Sequence, residues 1–142
     1  MFQFIKRLFG GKREPEHLRR GPLGEAAAKR HLKSARLKFL VANFKTKDSE
    51  IDLVFRDDDC LVFVEVKART EGSWTRPAAA VDQRKRSLQS KAASEYVRQL
   101  RDPNVKFRFD IVEVLLVDGE VNEVRHIPVS YTHLTLPTIY SV

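Results

Sequence analysis

The chain has 142 residues, of which 42% are apolar and 32% charged, with a net charge of +7. That length suits one domain with a single core, the composition excludes a disordered chain, and no apolar run approaches the roughly 18 residues of a membrane span. Cys60 is the only cysteine, which rules out an internal disulfide and fits a reducing, cytoplasmic setting. In its apolar strand it is expected to be a small core residue rather than a nucleophile.

The positive charge is unevenly spread. Residues 1–20 hold six Lys/Arg against two Glu, a net of +4, whereas residues 21–142 hold 20 basic and 17 acidic side chains, a net of +3. The first segment therefore reads as a basic leader and the domain itself as mildly basic, a balance that permits phosphate binding without requiring it. The leader lacks the long apolar stretch and small-residue cleavage site of a secretory signal. A short amphipathic helix is one reading of its Phe2, Ile5, Leu8 and Phe9, and a frayed terminus is the plainer one.

Gly21-Pro22 opens the domain, expected to run over residues 21–128. Glu25, Ala28, Leu32 and Ala35 fall at helical spacing, which predicts a helix from Leu23 to about Ala35 with Glu25 at the end of its core-facing stripe. A strand follows over Phe39–Phe44. Glu50–Phe55 and Cys60–Val66, rich in β-branched and aromatic residues around a turn at Asp57–Asp59, predict a hairpin. Residues 70–80 read as a loop broken by Gly72 and Pro77. Asp82 is an N-cap candidate for a helix reaching about Arg101, with an apolar stripe of Leu88, Ala92, Tyr96 and Leu100. Lys85 lies one turn before Leu88 on that stripe. Lys106–Val117 alternates as a long strand, and Asp118-Gly119 is a strong two-residue turn into Glu120–Val129. The order αβββαββ predicts an α/β domain, a mixed sheet flanked by helices. Residues 129–142 carry no Lys, Arg, Asp or Glu and resemble a translated sequencing adapter; this tail reads as non-native, with an uncharged native last strand as the alternative, and no function is drawn from His133 or Tyr140.

The charges of the hairpin are out of keeping with its apolar strands. Alternate residues of a strand share a face, so Glu65 and Lys67 point together, as do Glu50 and Asp52. Pairing across the turn brings Asp52 near Glu65, and Glu25 and Lys85 can approach the same corner from the helices. Carboxylate oxygens are the ligands Mg²⁺ prefers. Such an ion polarises a phosphoryl oxygen and acidifies a bound water, and a neighbouring lysine offsets charge in the transition state. The spacing Asp-x₁₂-Glu-x-Lys on adjacent strands suits phosphodiester hydrolysis. Spacing alone is equally compatible with a structural salt-bridge cluster, although the charges on both helices add weight to a site. Other chemistries are poorly supported: there is no P-loop or GxGxxG, His17, His31, His126, His133 and Cys60 have no zinc-like spacing, and no Ser or Cys has a visible triad context.

GPLGEAAAKRHL, VANFKTKDSEIDLVFRDDDCLVFVEVKAR, AVDQRKRSLQSKAASEYV and VKFRFDIVEVLL together resemble the YraN-like family of uncharacterised bacterial proteins, over about residues 21–128. The resemblance implies a restriction-endonuclease-like fold, similar to Holliday-junction resolvases, with a PD-(D/E)xK type of motif. It implies Asp52 and Glu65 as metal-binding acids, Lys67 as the motif lysine, Glu25 as the helix acid, Glu50 as the acid of a GEID-like turn, and Lys85 as a basic position on the next helix. Ser49 stands where the family has Gly before Glu-Ile-Asp, and Thr75-Arg76 where Phe-Gly is common; neither is a proposed ligand. The expectation is therefore a metal-dependent endonuclease using Mg²⁺, or Mn²⁺ in its place. Asp52, Glu65 and Lys67 would be catalytic, Glu25, Glu50 and Lys85 supporting, and Arg69, Arg84 and Lys85 would bind nucleic acid. DNA ranks ahead of RNA as partner, and a homodimer is allowed. The alternative is a nucleic-acid-binding module of the same fold without catalysis.

Overall fold

In the computed structural model, residues 16–70, 83–102 and 104–129 are described. Helix α1 spans Glu16–Ser34, strands β1, β2 and β3 span Lys38–Lys45, Glu50–Asp57 and Cys60–Thr70, helix α2 spans Gln83–Leu100, and strands β4 and β5 span Lys106–Val117 and Glu120–Val129. This is the expected αβββαββ order. The five strands form one mixed sheet in sequence order. All neighbours are antiparallel except β3 and β4, which are parallel; a parallel pair needs a crossover, and α2 supplies it.

The helices cover opposite faces of the sheet. Ala28 and Leu32 of α1 pack on Leu53, Phe55, Val62, Val64, Val112 and Val114. Ala92, Ala93 and Val97 of α2 pack on Ile51, Val54, Leu61 and Phe63, with Phe44, Tyr96, Phe107 and Phe109 beside them. Strand β4 is buried along most of its length, as expected for a strand with covered faces and neighbours on both sides. Asp118 and Gly119 both have positive φ, 51° and 78°, the geometry that a two-residue hairpin of matching twist requires.

Three details depart from the sequence pattern. α1 begins at Glu16 rather than Leu23 and carries Pro22 within it; a proline removes one helical hydrogen bond, and here it does not mark the first turn. The boundary after residue 20 thus falls inside a helix. That helix ends at Ser34, before the expected Ala35, and Arg36 takes the left-handed conformation with φ 68°. There the Leu37 amide closes back on the Leu32 carbonyl at 3.1 Å and the Leu37 side chain enters the core, a Schellman-type ending. On α2 the buried line runs through Ala92, Ala93 and Val97, leaving Leu100 46% exposed. The expected leader through Pro15, the 71–82 segment with Asp82, and residues 130–142 lie outside the described residues.

Candidate metal and phosphate site

The site begins where the sheet breaks its own alternation. Ala42 and Leu53, which are paired, face the α1 core; Phe44 and Ile51, also paired, face the α2 core. Two residues apart on one strand should share a face, so the parity reverses between them, at Asn43 and Asp52. Asn43 has φ 53°, a left-handed conformation that Asn tolerates better than most residues. The β2–β3 ladder also stops at Leu53↔Val64. In place of a further ladder bond, the Val66 backbone N–H donates to Asp52 Oδ2 at 2.7 Å.

Beyond this break the acids gather. With its amide nitrogen turned toward them, Asn43 donates to Glu50 Oε1 at 2.9 Å and to Glu25 Oε1 at 3.2 Å. Gly24 allows Glu25 to come this close: a β-carbon at position 24 would lie 2.9 Å from the Ala68 β-carbon on β3. Burial pushes the Asp52 carboxyl up from the ordinary 3.8 to about 6; the Val66 amide opposes this, and the charges of Glu25, Glu65 and Glu50 add to it. Asp52 is thus a partly buried acid whose charged neighbours of note are other acids.

Glu65, Lys67 and Arg69 continue the alternation of Leu61 and Phe63 and stand on the α2 face. Glu65 is 8% exposed and its Oε1 is ion-paired with Lys85 Nζ, which reaches it from the first turn of α2. Burial lowers the Lys67 ammonium from its usual value, Glu65 opposes that shift, and Lys85 and Arg69 reinforce it. Lys67 therefore shares the field of Glu65 with Lys85. The Arg69 Nε is buried without a hydrogen-bond partner, and Arg84 is exposed next to Lys85. A separate hollow of about 420 Å³ beside the β1–β2 turn is lined by Lys45, Lys47 and Lys91 together with Asp48 and Glu95; Lys45 is the cross-strand partner of Glu50.

Two further residues belong to this corner of the sheet, Glu113 and Asn43. Glu113 on β4 is 3% exposed and is the strand partner of Lys67, whose ammonium it favours. Its signal was present: a single acid interrupts the apolar run IVEVLLV. Asn43 carried no comparable signal, because its importance comes from a backbone reversal. Cys60, expected as core, is only partly buried; burial pushes its thiol up, away from nucleophilic use.

Among the described residues, no three His, Cys, Asp or Glu side chains are grouped as a ready-made metal cage. Mg²⁺ does not require one, since it commonly takes one or two carboxylates and completes its octahedron with water and phosphate. Asp52 and Glu65 offer oxygen donors of the kind such an ion takes, and in this structure Glu65 Oε1 is ion-paired with Lys85.

Comparison with known proteins decides the family. The sequence profile described as "Uncharacterised protein family UPF0102" matches residues 24–114, the stretch holding Glu25, the hairpin, α2 and most of β4. The chain belongs to this family. It is the YraN-like family of the sequence resemblance. A UPF0102 protein of Geobacter metallireducens is 38% identical over 108 residues, covering 76% of this chain and 88% of the relative. Similar UPF0102 proteins of Trichlorobacter lovleyi and Geotalea daltonii are 38% and 39% identical, covering 86% and 84% of their lengths. Among the described residues, no helix is long and apolar enough to cross a membrane.

Proposed function

We propose that this UPF0102 protein binds nucleic acid and hydrolyses its phosphodiester bonds with Mg²⁺ at Asp52, Glu65 and Lys67. The observation that carries the reading is the gathering of Glu25, Glu50, Asp52 and Glu65 at one end of the hairpin, with Asp52 held near pKa 6 by burial and like charge. Folding gains nothing from such crowding, and an acid perturbed by burial and like charge beside basic side chains is a functional-site candidate. Asp52 and Glu65 would hold the ion; when bound, it supplies an acidified water and a polarised phosphoryl oxygen. Asn43 orients Glu25 and Glu50 at the rim. Lys67, fixed on β3 beside Glu65, stabilises charge on the phosphoryl group. Arg69, Arg84 and Lys85 hold flanking phosphates, with DNA ranked ahead of RNA. Mn²⁺ would substitute for Mg²⁺. The reading includes a cytoplasmic setting and allows a homodimer.

A second reading rests on the Lys85–Glu65 ion pair and the Val66–Asp52 hydrogen bond, each of which satisfies an acid by itself. On that reading the protein is a nucleic-acid-binding module without catalysis. The deciding experiment measures cleavage of single-stranded, duplex and branched DNA and RNA with Mg²⁺ or Mn²⁺, and binding in metal-free buffer, for the wild type, Glu65→Gln and Lys67→Ala. The nuclease reading expects Glu65→Gln to lose cleavage by about a thousandfold or more while metal-free binding stays equal or tightens. Wild-type inactivity, or normal cleavage by both folded variants, overturns it. Retained wild-type binding then leaves the module.

A further inference from the structure

The Lys85–Glu65 pair is unequal. Glu65 is buried and fixed on a central strand, whereas the Lys85 side chain is 56% exposed on a four-carbon stem in the first turn of α2. A buried carboxylate needs a cation, and Lys85 supplies one from solvent. Lys67 differs: it is partly buried within β3, with Glu113 as its strand partner. One of the two ammonium groups near Glu65 can leave without disturbing the sheet, and the other cannot.

We infer, on the reading that Asp52 and Glu65 hold a divalent ion, that Lys85 is an exchangeable counter-ion. It occupies Glu65 Oε1 in the metal-free protein, yields that oxygen to the ion, and transfers its charge to a substrate phosphate. An ammonium and a divalent cation cannot share one carboxylate oxygen without strong repulsion. Metal and nucleic acid then favour each other: the ion releases Lys85 for phosphate, and phosphate draws Lys85 off Glu65. By linkage the two effects are equal. The exchange also keeps Glu65 neutralised when no metal is bound, so the site stays folded while waiting for its ion.

The test measures Mn²⁺ affinity by the electron paramagnetic resonance of free Mn²⁺, without nucleic acid, for the wild type, Lys85→Met and Glu65→Gln, each confirmed as folded by circular dichroism. The exchange expects Lys85→Met to bind Mn²⁺ about tenfold more tightly than the wild type, an effect the size of one modest ion pair. Glu65→Gln is expected to lose Mn²⁺ binding. If Glu65→Gln loses the ion but Lys85→Met matches or falls below the wild type, the exchange fails and the metal site stands. If the wild type binds no Mn²⁺, or Glu65→Gln binds it normally, the metal site fails and the exchange with it. A second readout is the salt dependence of binding to a cleavage-resistant phosphorothioate DNA duplex. Adding Mn²⁺ should steepen the wild-type slope by about 0.9, one phosphate contact, and leave that of Lys85→Met unchanged. Equal changes in both proteins overturn the transfer to phosphate.

Discussion

Two aspartates of this sheet, one fully and one partly buried, are treated in opposite ways. The Asp110 side chain on β4 is fully buried, and its carboxylate accepts from Arg108 Nε at 3.1 Å and is bonded to His126 Nε2 at 2.6 Å. Arg108 extends the network to Asp57 at 2.9 Å. Asp52 on β2 has one backbone amide and three acids for company. The first arrangement is what a buried charge needs to be tolerated: a cationic partner in Arg108 and hydrogen bonds to both oxygens. The second lacks that compensation, and a break with local rules of this kind is expected at functional sites; on the proposed reading a divalent ion would supply the compensation. The difference therefore separates an acid that holds the fold from an acid that the fold must tolerate.

The comparison breaks most directly at Asp110. Asp110→Ala strands Arg108 and His126 beside a buried void and should cost about 3–5 kcal/mol, read as a shift in urea midpoint. A cost below about 1 kcal/mol would put Asp110 among the decorative acids.

Asp52→Asn should do the reverse. The folded-state pKa, about 6, lies above the ordinary 3.8, so the folded protein binds this proton more tightly than the unfolded chain. The associated stability is complete below 3.8 and is lost as pH rises through about 6. Asn has no proton to lose and still accepts from Val66. At pH 7.5 the variant should be more stable by about 2–3 kcal/mol, with the advantage disappearing near pH 4; melts across that range would show a flat difference if the crowding were illusory.

A smaller effect comes from the ion. Mg²⁺ at ten times its dissociation constant should stabilise the wild type by about 1.4 kcal/mol and leave Glu65→Gln unmoved, as thermal melts would show. Smallest of all is Lys106→Ala, which removes the exposed pair with Asp59 at 2.9 Å. No measurable change in melting temperature is expected; a clear loss would mean that surface pairs carry more of this fold than the buried network.

Much of the architecture was legible because local chemistry and global fold agree. β4 and β5 have the bounds that alternation and Asp118-Gly119 imply, and the RDDD turn joins β2 to β3. The helical start was not legible, since Pro22 reads locally as punctuation and only the continuing helix shows otherwise. The candidate acids were named from the same period-two rule that fails among them. Glu50 and Asp52 were expected to point together, but the reversal at Asn43 sends Glu50 toward Glu25 and leaves Asp52 bonded across the gap to β3. Face assignments assume an unbroken pleat, and a reversal set by one φ angle leaves no mark in hydrophobic pattern. Glu113 was hidden differently: its meaning depends on a parallel partner, Lys67, reached only through the α2 crossover.

The Val66 amide gives the site its own spectroscopic reporter. Its proton points at a carboxylate that titrates near pH 6 rather than at a ladder carbonyl. Proton and nitrogen chemical shifts of this single amide will therefore follow the charge on Asp52, while neighbouring amides in the sheet serve as internal references. On the proposed reading, a divalent ion arriving at Asp52 would register at the same resonance by withdrawing electron density from the accepting oxygen. Occupancy of the site can thus be followed residue by residue in solution, with no substrate present and no turnover needed.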